Sequence, residues 1–238
     1  MKSPVFAVML ISLLIAVPSV LSAQVEVTGA STVPMPRTSW LHEGSDIPAD
    51  PDWTTGTLSN GLRYAVRRNA TPPGTVAIRV RIDAGALMEG DDESGWAHLL
   101  EHMVFRGTTA RPDGEAVKLW QRLGASFGSD TNAFTSLRST TYKLDLPRND
   151  AASLDSAVGA LADMMQDARI DPRLLEIERK VVMAERAARF TPVTRKIQDA
   201  VKPLMLSGLL AERRELGGTD ASLAAATSHG LQRFYARW

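Results

Sequence analysis

Residues 96–107 read WAHLLEHMVFRG, and this stretch decides how the whole chain is interpreted. Its apolar side chains recur at the spacing i, i+3, i+4, i+7 and i+8, which marks one face of an α-helix. At about 100° per residue, the two histidines and the glutamate centre on the opposite side of that helix. The stretch therefore predicts a helix with one face in a core and a polar face toward a cleft or solvent. The apolar stripe consists of Trp96, Leu99, Leu100, Met103 and Val104.

The polar face of this helix carries a pattern with metal-binding potential. His98 and His102 lie one turn apart, and Glu101 lies beside them. This arrangement can hold a zinc ion and place a base next to the water that zinc binds. His-x-x-Glu-His is a known metallopeptidase pattern, the inverse of the commoner His-Glu-x-x-His order. An ordinary solvated helix face is the alternative interpretation.

The residues that flank the helix favour the catalytic interpretation, because they give the helix defined ends. Acidic and capping side chains occupy positions 91–94, before the helix, and Gly107 is a suitable stop after it. The predicted helix is therefore well specified, and its polar face is unusual.

Composition narrows the possible functions. Lys plus Arg and Asp plus Glu each number 27, so no basic excess indicates a nucleic-acid partner. The chain has no cysteine, which excludes disulfides, thiol nucleophiles and Cys-rich structural zinc sites. Any zinc would be held by histidines and carboxylates, which favours an open catalytic site.

The first 23 residues have the features of a secretory signal peptide. Lys2 is followed by an apolar run at 5–17 and by small residues at 19–23. The apolar run is short for a bilayer span. We expect cleavage after Ala23, with an uncleaved membrane anchor as the alternative. The mature protein is then expected in the periplasm or outside the cell, without membrane attachment.

The remaining chain divides into a polar, proline-rich linker at 24–52 and a globular domain at 53–238. Expected strands comprise a hairpin around Asn60-Gly61, alternating stretches at 76–82 and 140–146, and an extended segment at 126–135. Expected helices follow at 113–123, from a cap at Asn149 or Asp150 with the stripe Leu154, Val158, Leu161 and Met165, at 171–190, at 192–205 and from 220 onward. This pattern predicts an α+β fold, a mainly antiparallel sheet covered by helices.

Catalytic zinc generally has three protein ligands, so a third ligand must come from elsewhere in the chain. His229 is one candidate, and the carboxylates in residues 176–185, EIERKVVMAE, are others. Glu178 and Glu185 are seven residues apart and project from nearly the same helix face, whereas Glu176 points away. One of the pair could bind zinc while the other accepts a hydrogen bond from a ligating imidazole. Spacing alone leaves the choice open, and an ordinary solvated helix remains an alternative.

Three motifs together resemble those of the pitrilysin and insulysin family of zinc peptidases. They are HLLEHMVFRGT at 98–108, NAFTS at 132–136 with TTY at 140–142, and ERKVVMAE at 178–185. The resemblance runs from about Trp53 to the C-terminus. It implies that His98, His102 and Glu185 are the zinc ligands, that Glu101 is the catalytic base, and that Glu178 supports the site.

The resemblance also implies how a substrate binds. The segment 129–134 would be a strand edge to which an extended peptide adds, with Asn132 and Ala133 contacting the substrate backbone. Family members are built from two or four similar domains, so we expect a later domain or partner subunit and a truncated C-terminal end of the 53–238 domain. The leading hypothesis is a zinc endopeptidase acting on peptides or unfolded polypeptides. The alternative is a non-catalytic peptide-binding or partner subunit.

Overall fold

A computed structural model of the chain describes residue 40 and residues 42–238. The predicted signal peptide at 1–23 lies outside the described residues, as does most of the predicted linker at 24–52. Two compact units divide between Arg68 and Asn69, and each is described by itself. Among the described residues, no helix has the length and apolarity needed to cross a bilayer.

The described part of the first unit contains a β-hairpin. Its antiparallel strands are β1 (Trp53–Thr57) and β2 (Arg63–Arg67). In the turn between them, the Asn60 side-chain oxygen accepts a hydrogen bond from the backbone N–H of Leu62 at 3.1 Å. The hairpin predicted around Asn60-Gly61 is therefore confirmed, because an Asx hydrogen bond and a left-handed glycine close the turn.

The second unit is built on a three-stranded antiparallel sheet. Its strands are β3 (Val76–Ile82), β4 (Thr131–Thr135) and β5 (Thr140–Leu146), in the order β3-β5-β4. The predicted strands at 76–82 and 140–146 are confirmed. The predicted extended segment at 126–135 is wrong in its first half, because Gly128 turns the chain and donates its N–H to the Thr131 carbonyl at 2.8 Å.

Helices flank this sheet, which confirms the predicted α+β class. A short 3-10 turn at Ala86–Met88 precedes the first of them. The helices are α1 (Trp96–Val104), α2 (Glu115–Arg122), α3 (Ala151–Gln166), α4 (Pro172–Arg189), α5 (Pro192–Leu206), α6 (Leu210–Arg213), α7 (Asp220–Ala225) and α8 (Ser228–Arg237).

The α3 helix begins where predicted, but its buried face differs in part from the predicted stripe. Asp150 caps it by accepting a hydrogen bond from the Ser153 N–H at 2.9 Å. The predicted stripe is right at Leu161, which is buried, and at Met165, which packs against the core, but it is wrong at Val158, which is exposed while smaller neighbours are buried. Small side chains let a helix approach its neighbours closely, so hydrophobicity alone misplaces the contact face. The buried face consists of Ser153, Ala157, Ala160, Leu161 and Met164.

The α1 helix lies at the centre of the second unit. It contacts α4, α8 and the strands β4 and β5. Every residue of the predicted apolar stripe is buried. The predicted helix and its core face are confirmed, and its polar face is directed toward α4 and the edge strand β4.

Candidate metal centre

A buried carboxylate fixes the start of α1. Glu89 accepts backbone hydrogen bonds from Gly95 at 3.0 Å and Ala97 at 2.9 Å, one at each oxygen. The predicted caps at 91–94 are wrong, because Gly95 is the N-cap and no side chain from those positions bonds the helix amides. The left-handed φ of Gly95 turns the chain so that the carboxylate of the preceding 3-10 segment reaches the helix end.

Two helices bring the three predicted zinc ligands together. α1 carries His98 and His102, whose rings lie with centroids 4.9 Å apart. α4 carries Glu185, whose Oε2 lies 3.7 Å from Nε2 of His98 and 3.6 Å from Nε2 of His102. One potential ligand atom from each residue lies within 4.8 Å of the others. The arrangement brings three donors of the correct type to one point.

The other carboxylate on this face of α4, Glu178, contacts the opposite ring nitrogen of His102. Glu178 Oε2 lies 2.8 Å from Nδ1 of His102. Its Oε1 accepts a hydrogen bond from Nε of Arg106 at 2.6 Å and lies 2.5 Å from Nη2 in the same ion pair. Because Nδ1 of His102 is occupied in this way, the ring presents Nε2 toward Glu185. Glu178 and Glu185 share one helix face but take different positions.

The loop that contains Gly217 and Gly218 covers His98. A Cβ on Gly95 would lie 2.6 Å from Cα of Gly218, so the loop approaches the start of α1 more closely than any side chain would allow. Buried Arg186 holds this loop by donating to the Gly218 carbonyl at 2.5 Å and by an ion pair with Asp220. Nδ1 of His98 is buried and has no hydrogen-bond partner among the described residues.

The predicted base lies beside the ligands and is itself held. Glu101 is buried, and its Oε2 accepts a hydrogen bond from the Thr135 hydroxyl at 2.5 Å. Thr135 ends β4, so this contact connects α1 to the edge strand. Oε1 of Glu101 is the oxygen that Thr135 does not engage.

Burial and neighbouring charges shift the pKa values of His98 and His102 in opposite directions. Burial lowers the pKa of His98 to about 4, and the positive charges of His102 and Arg189 act in the same direction. Burial also lowers the pKa of His102, but the hydrogen bond to Glu178 and the surrounding carboxylates outweigh it and raise that pKa above its ordinary value. His98 is therefore neutral at pH 7, as an imidazole ligand must be.

The pKa values of the two buried carboxylates, Glu101 and Glu178, shift in opposite directions. Burial raises the pKa of Glu101, and the hydrogen bond from Thr135 offsets this only in part. Burial likewise raises the pKa of Glu178, but the hydrogen bonds from His102 and a neighbouring arginine outweigh it and hold that pKa below its ordinary value. Glu178 is thus kept ionised by its partners.

Along the edge strand β4, the backbone groups of alternate residues, Ala133 among them, point away from β5. Backbone hydrogen bonds from Asp145 to Asp130 and from Ser136 to Ser139 set the alternation of the antiparallel pair. Since bonded pairs alternate, the N–H and C=O of Ala133 point away from β5. The Ala133 N–H is capped by the Asn132 side-chain oxygen at 2.9 Å. Asn132 itself pairs with Lys143 in β5 and so offers only its side chain.

All of the predicted site residues line one open cleft of about 650 Å³. Its remaining lining includes Phe105, Phe127, Val181 and Arg189. His229 is exposed on α8 and does not belong to the metal-binding group, and Glu176 pairs with Arg179 at 3.1 Å on the exposed side of α4.

The donor set fits a zinc ion. In a tetrahedral site with ligand distances of about 2.0–2.2 Å, neighbouring ligand atoms lie about 3.4 Å apart. The two Nε2–Oε2 separations of 3.7 and 3.6 Å are close to this value. Two imidazoles and one carboxylate are also a ligand combination that catalytic zinc uses.

Three residues of this arrangement were not assigned a role from the sequence. They are Glu89, Arg106 and Thr135. Arg106 and Thr135 lie within the motifs at 98–108 and 132–136, so their presence near the site was foreseeable but their partners were not. Glu89 precedes its helix by a turn and a loop whose path no local pattern predicts.

Known proteins resemble this chain in sequence and structure. Residues 64–207 match the profile of the insulinase family, peptidase family M16. The probable zinc protease PqqL of Haemophilus influenzae is 33% identical over 198 residues, which are 83% of this chain and 21% of that protein. The chain thus spans about a fifth of the length of this relative.

Solved structures give the same result. The periplasmic protease PqqL from Escherichia coli is 33% identical and superposes with a TM-score of 0.77 over 81% of this chain and 21% of that one. The ferredoxin protease FusC, solved in complex with Arabidopsis ferredoxin, is 32% identical with a TM-score of 0.71 over 78% of this chain and 20% of that one. The profile match covers more than half of the chain, and the chain therefore belongs to the insulinase family, peptidase family M16.

Proposed function

We propose that this chain carries the metal-binding and catalytic residues of a zinc endopeptidase. His98, His102 and Glu185 would hold zinc, and Glu101 would be the base. The observation that carries the proposal is the meeting of three ligand atoms within 4.8 Å on two different helices, beside a buried carboxylate. Family relatives named as zinc proteases support it.

The chain's own residues divide the chemistry between them. When bound, zinc supplies Lewis acidity, which polarises a carbonyl and lowers the pKa of coordinated water to about 7. Glu101 takes the proton of the attacking water at Oε1 and later passes it to the leaving amine. Thr135 holds Oε2 of Glu101 at 2.5 Å and so leaves Oε1 to take the proton. Positioned proton transfer of this kind contributes about 10²–10⁴-fold.

The edge strand β4 suits an extended peptide. Ala133 directs its backbone N–H and C=O away from β5, so a substrate strand can pair with it. Asn132 caps that N–H at 2.9 Å and would exchange this hydrogen bond for one with the substrate. The substrate class is therefore peptide or unfolded polypeptide in an extended conformation.

The remaining parts of the working protein are also proposed. The chain spans 21% of its relative in Haemophilus influenzae, so a later domain or partner subunit would close the cleft. Residues 1–23 would be a signal peptide, 24–52 a linker and 53–238 the N-terminal peptidase domain. Periplasmic location follows from the predicted signal and is supported by the name of the Escherichia coli relative.

Cleavage of an unstructured peptide tests the proposal. The zinc-loaded chain is expected to cleave it, and a chelator is expected to stop the reaction. Glu101→Gln should keep zinc and lose about 10²–10⁴-fold in rate. Glu176→Gln is the matched control, because this exposed α4 carboxylate lies outside the cleft and should leave the rate unchanged.

Two outcomes would contradict the assignment. Full activity in Glu101→Gln would remove Glu101 as the base. A parent that binds zinc and peptide but does not cleave would instead favour a non-catalytic peptide-binding subunit.

A further inference from the structure

We infer that Arg106 is a positioning residue for the metal centre: it fixes Glu178, which in turn orients His102. The inference rests on the proposed zinc site and goes beyond it. Arg106 follows the last turn of α1 and lies four residues after His102. Its guanidinium contacts Glu178 across the gap between α1 and α4.

The two oxygens of the Glu178 carboxylate contact different residues. Both Nε and Nη2 of Arg106 meet the same oxygen, Oε1 of Glu178, at 2.6 and 2.5 Å. Oε2 is thereby left for Nδ1 of His102 at 2.8 Å. Rotation of the carboxylate would break charge-assisted hydrogen bonds on both sides. Arg106 therefore holds Glu178 in the rotamer in which His102 presents Nε2 toward Glu185.

Glu178 depends on the contact with Arg106 because its side chain is buried. The Glu178 side chain is only 8% exposed, so little water can replace a lost partner. A buried carboxylate that loses one of its two partners is costly to keep in place, and it would turn toward solvent. That rotation would release the His102 ring from its present orientation.

Arg106 is itself anchored to the helix that carries the ligands. Its backbone N–H donates to the Met103 carbonyl at 3.0 Å. Gly107 then turns away at φ +139, where a Cβ would lie 2.9 Å from the backbone N of Asp113. Asp113 also approaches the Arg106 guanidinium at 3.4 Å. His102, Glu178 and Arg106 thus form a closed loop of contacts that starts and ends on one rigid element.

Charge alone predicts the opposite result from positioning. A guanidinium close to a divalent cation repels it, so its removal would strengthen zinc binding if only through-space charge mattered. Positioning predicts weaker binding, because the orienting hydrogen bond on His102 is loosened. Outer partners of metal ligands change affinity by about 10–100-fold when they are mutated. The sign of the change therefore separates the two accounts.

Zinc affinity, measured by competition with a chromophoric chelator, tests the inference. Arg106→Gln should weaken zinc binding about tenfold, and Arg106→Lys, which keeps the charge and one donor, should recover part of the loss. Arg79→Gln is the matched control, since Arg79 forms an equally close carboxylate pair with Asp145, at 2.6 Å, away from the cleft. The Arg79→Gln affinity should equal that of the parent.

A double-mutant cycle with Glu178→Gln shows whether the effect passes through Glu178. If it does, Arg106→Gln should add little in that background. The visible spectrum of the cobalt-substituted protein should change in Arg106→Gln, since it reports ligand geometry. Thermal melting of the metal-free proteins separates an effect on folding from an effect on zinc binding. If Arg106→Gln does not fold, the same measurements are made on Arg106→Lys.

Three results would overturn the inference. They are unchanged or stronger zinc binding in Arg106→Gln, an equal loss in the Glu178→Gln background, and an unchanged cobalt spectrum. If the parent binds zinc and His98→Ala does not, such results contradict only the role of Arg106. A folded parent without zinc affinity would contradict the proposed function, and this inference with it.

Discussion

The helices α1 and α5 share an amphipathic pattern but have opposite environments. In α1 the apolar stripe is fully packed, and Leu99 and Met103 are 0% exposed. In α5 no residue is buried, and Leu204 on its apolar face is 84% exposed. Their starts differ too, because α1 is capped by buried Glu89 and α5 by the exposed hydroxyl of Thr191.

Hydrophobic periodicity therefore predicts a helix, but it does not predict which elements cover the helix. α1 has α4, α8 and the sheet around it, and this packing holds its polar residues within hydrogen-bond distance of β4 and α4. The apolar face of α5 has no such cover among the described residues. Precise placement of a metal centre needs a helix that is packed on several sides, as α1 is.

The largest expected effect comes from removing a ligand on α1. His98→Ala should lower zinc affinity by more than the about 100-fold upper bound for outer partners, because a direct ligand is lost. The result is measured as zinc retained after dialysis against a weak chelator. His229→Ala, at an exposed site on α8, is the control. Equal zinc retention in His98→Ala and the parent would remove α1 from the metal centre.

The second effect concerns packing. Leu99→Ala should lower the free energy of unfolding by about 2–5 kcal/mol, because it leaves a cavity in the core beneath the histidines. Urea unfolding of the metal-free chain measures it. A loss below about 1 kcal/mol would mean that α1 is not held as tightly as its burial indicates.

The third effect concerns pH and the buried start of α1. Burial raises the pKa of Glu89 to about 7, despite hydrogen bonds from the Ala97 and Gly95 amides and the charge of Arg214. The folded chain then binds this proton more tightly than the unfolded one between pH 4.5 and 7. The free energy of unfolding should therefore fall as pH rises through that window, by up to about 1.4 kcal/mol per pH unit.

Glu89→Gln should remove this part of the pH dependence. The readout is the difference in slope between parent and variant in metal-free urea unfolding from pH 4.5 to 7.5. The absolute stability of the variant is not the test, because glutamine also loses one acceptor for the helix amides. Parallel curves would show that Glu89 does not titrate in this window.

The smallest expected effect comes from α5. Leu204→Ala makes the same substitution as Leu99→Ala at a site that is 84% exposed. The free energy of unfolding should change by less than about 0.5 kcal/mol. A loss similar to that of Leu99→Ala would show that the α5 face is covered in solution, and the contrast between the two helices would disappear.

Local patterns were sufficient to predict which side chains of α1 and α4 meet in the candidate site. The spacing of His98, Glu101 and His102 places them on one face of any α-helix. The same rule puts Glu178 and Glu185 together on α4. What spacing could not decide was which carboxylate meets which nitrogen, since that depends on the angle and distance between α1 and α4.

Features that depend on loop paths or on side-chain size were missed. Glu89 reaches α1 only because a 3-10 turn and Gly95 fold the chain back. The α3 face was misplaced because close approach favours Ala157 and Ala160 over the larger Val158. Arg106 lay in a quoted motif, but its partner Glu178 is 72 residues away in sequence.

If α1 and α4 together assemble one zinc site, the number of zinc ions bound per chain must depend on residues from both helices. Zinc would be counted per chain in the purified parent, in Glu185→Ala and in Glu176→Ala, a control on the exposed side of the same helix. We predict about one zinc per chain in the parent and in Glu176→Ala, and much less in Glu185→Ala. Zinc retained at parent level in Glu185→Ala, or absent from a well-folded parent, would contradict the account.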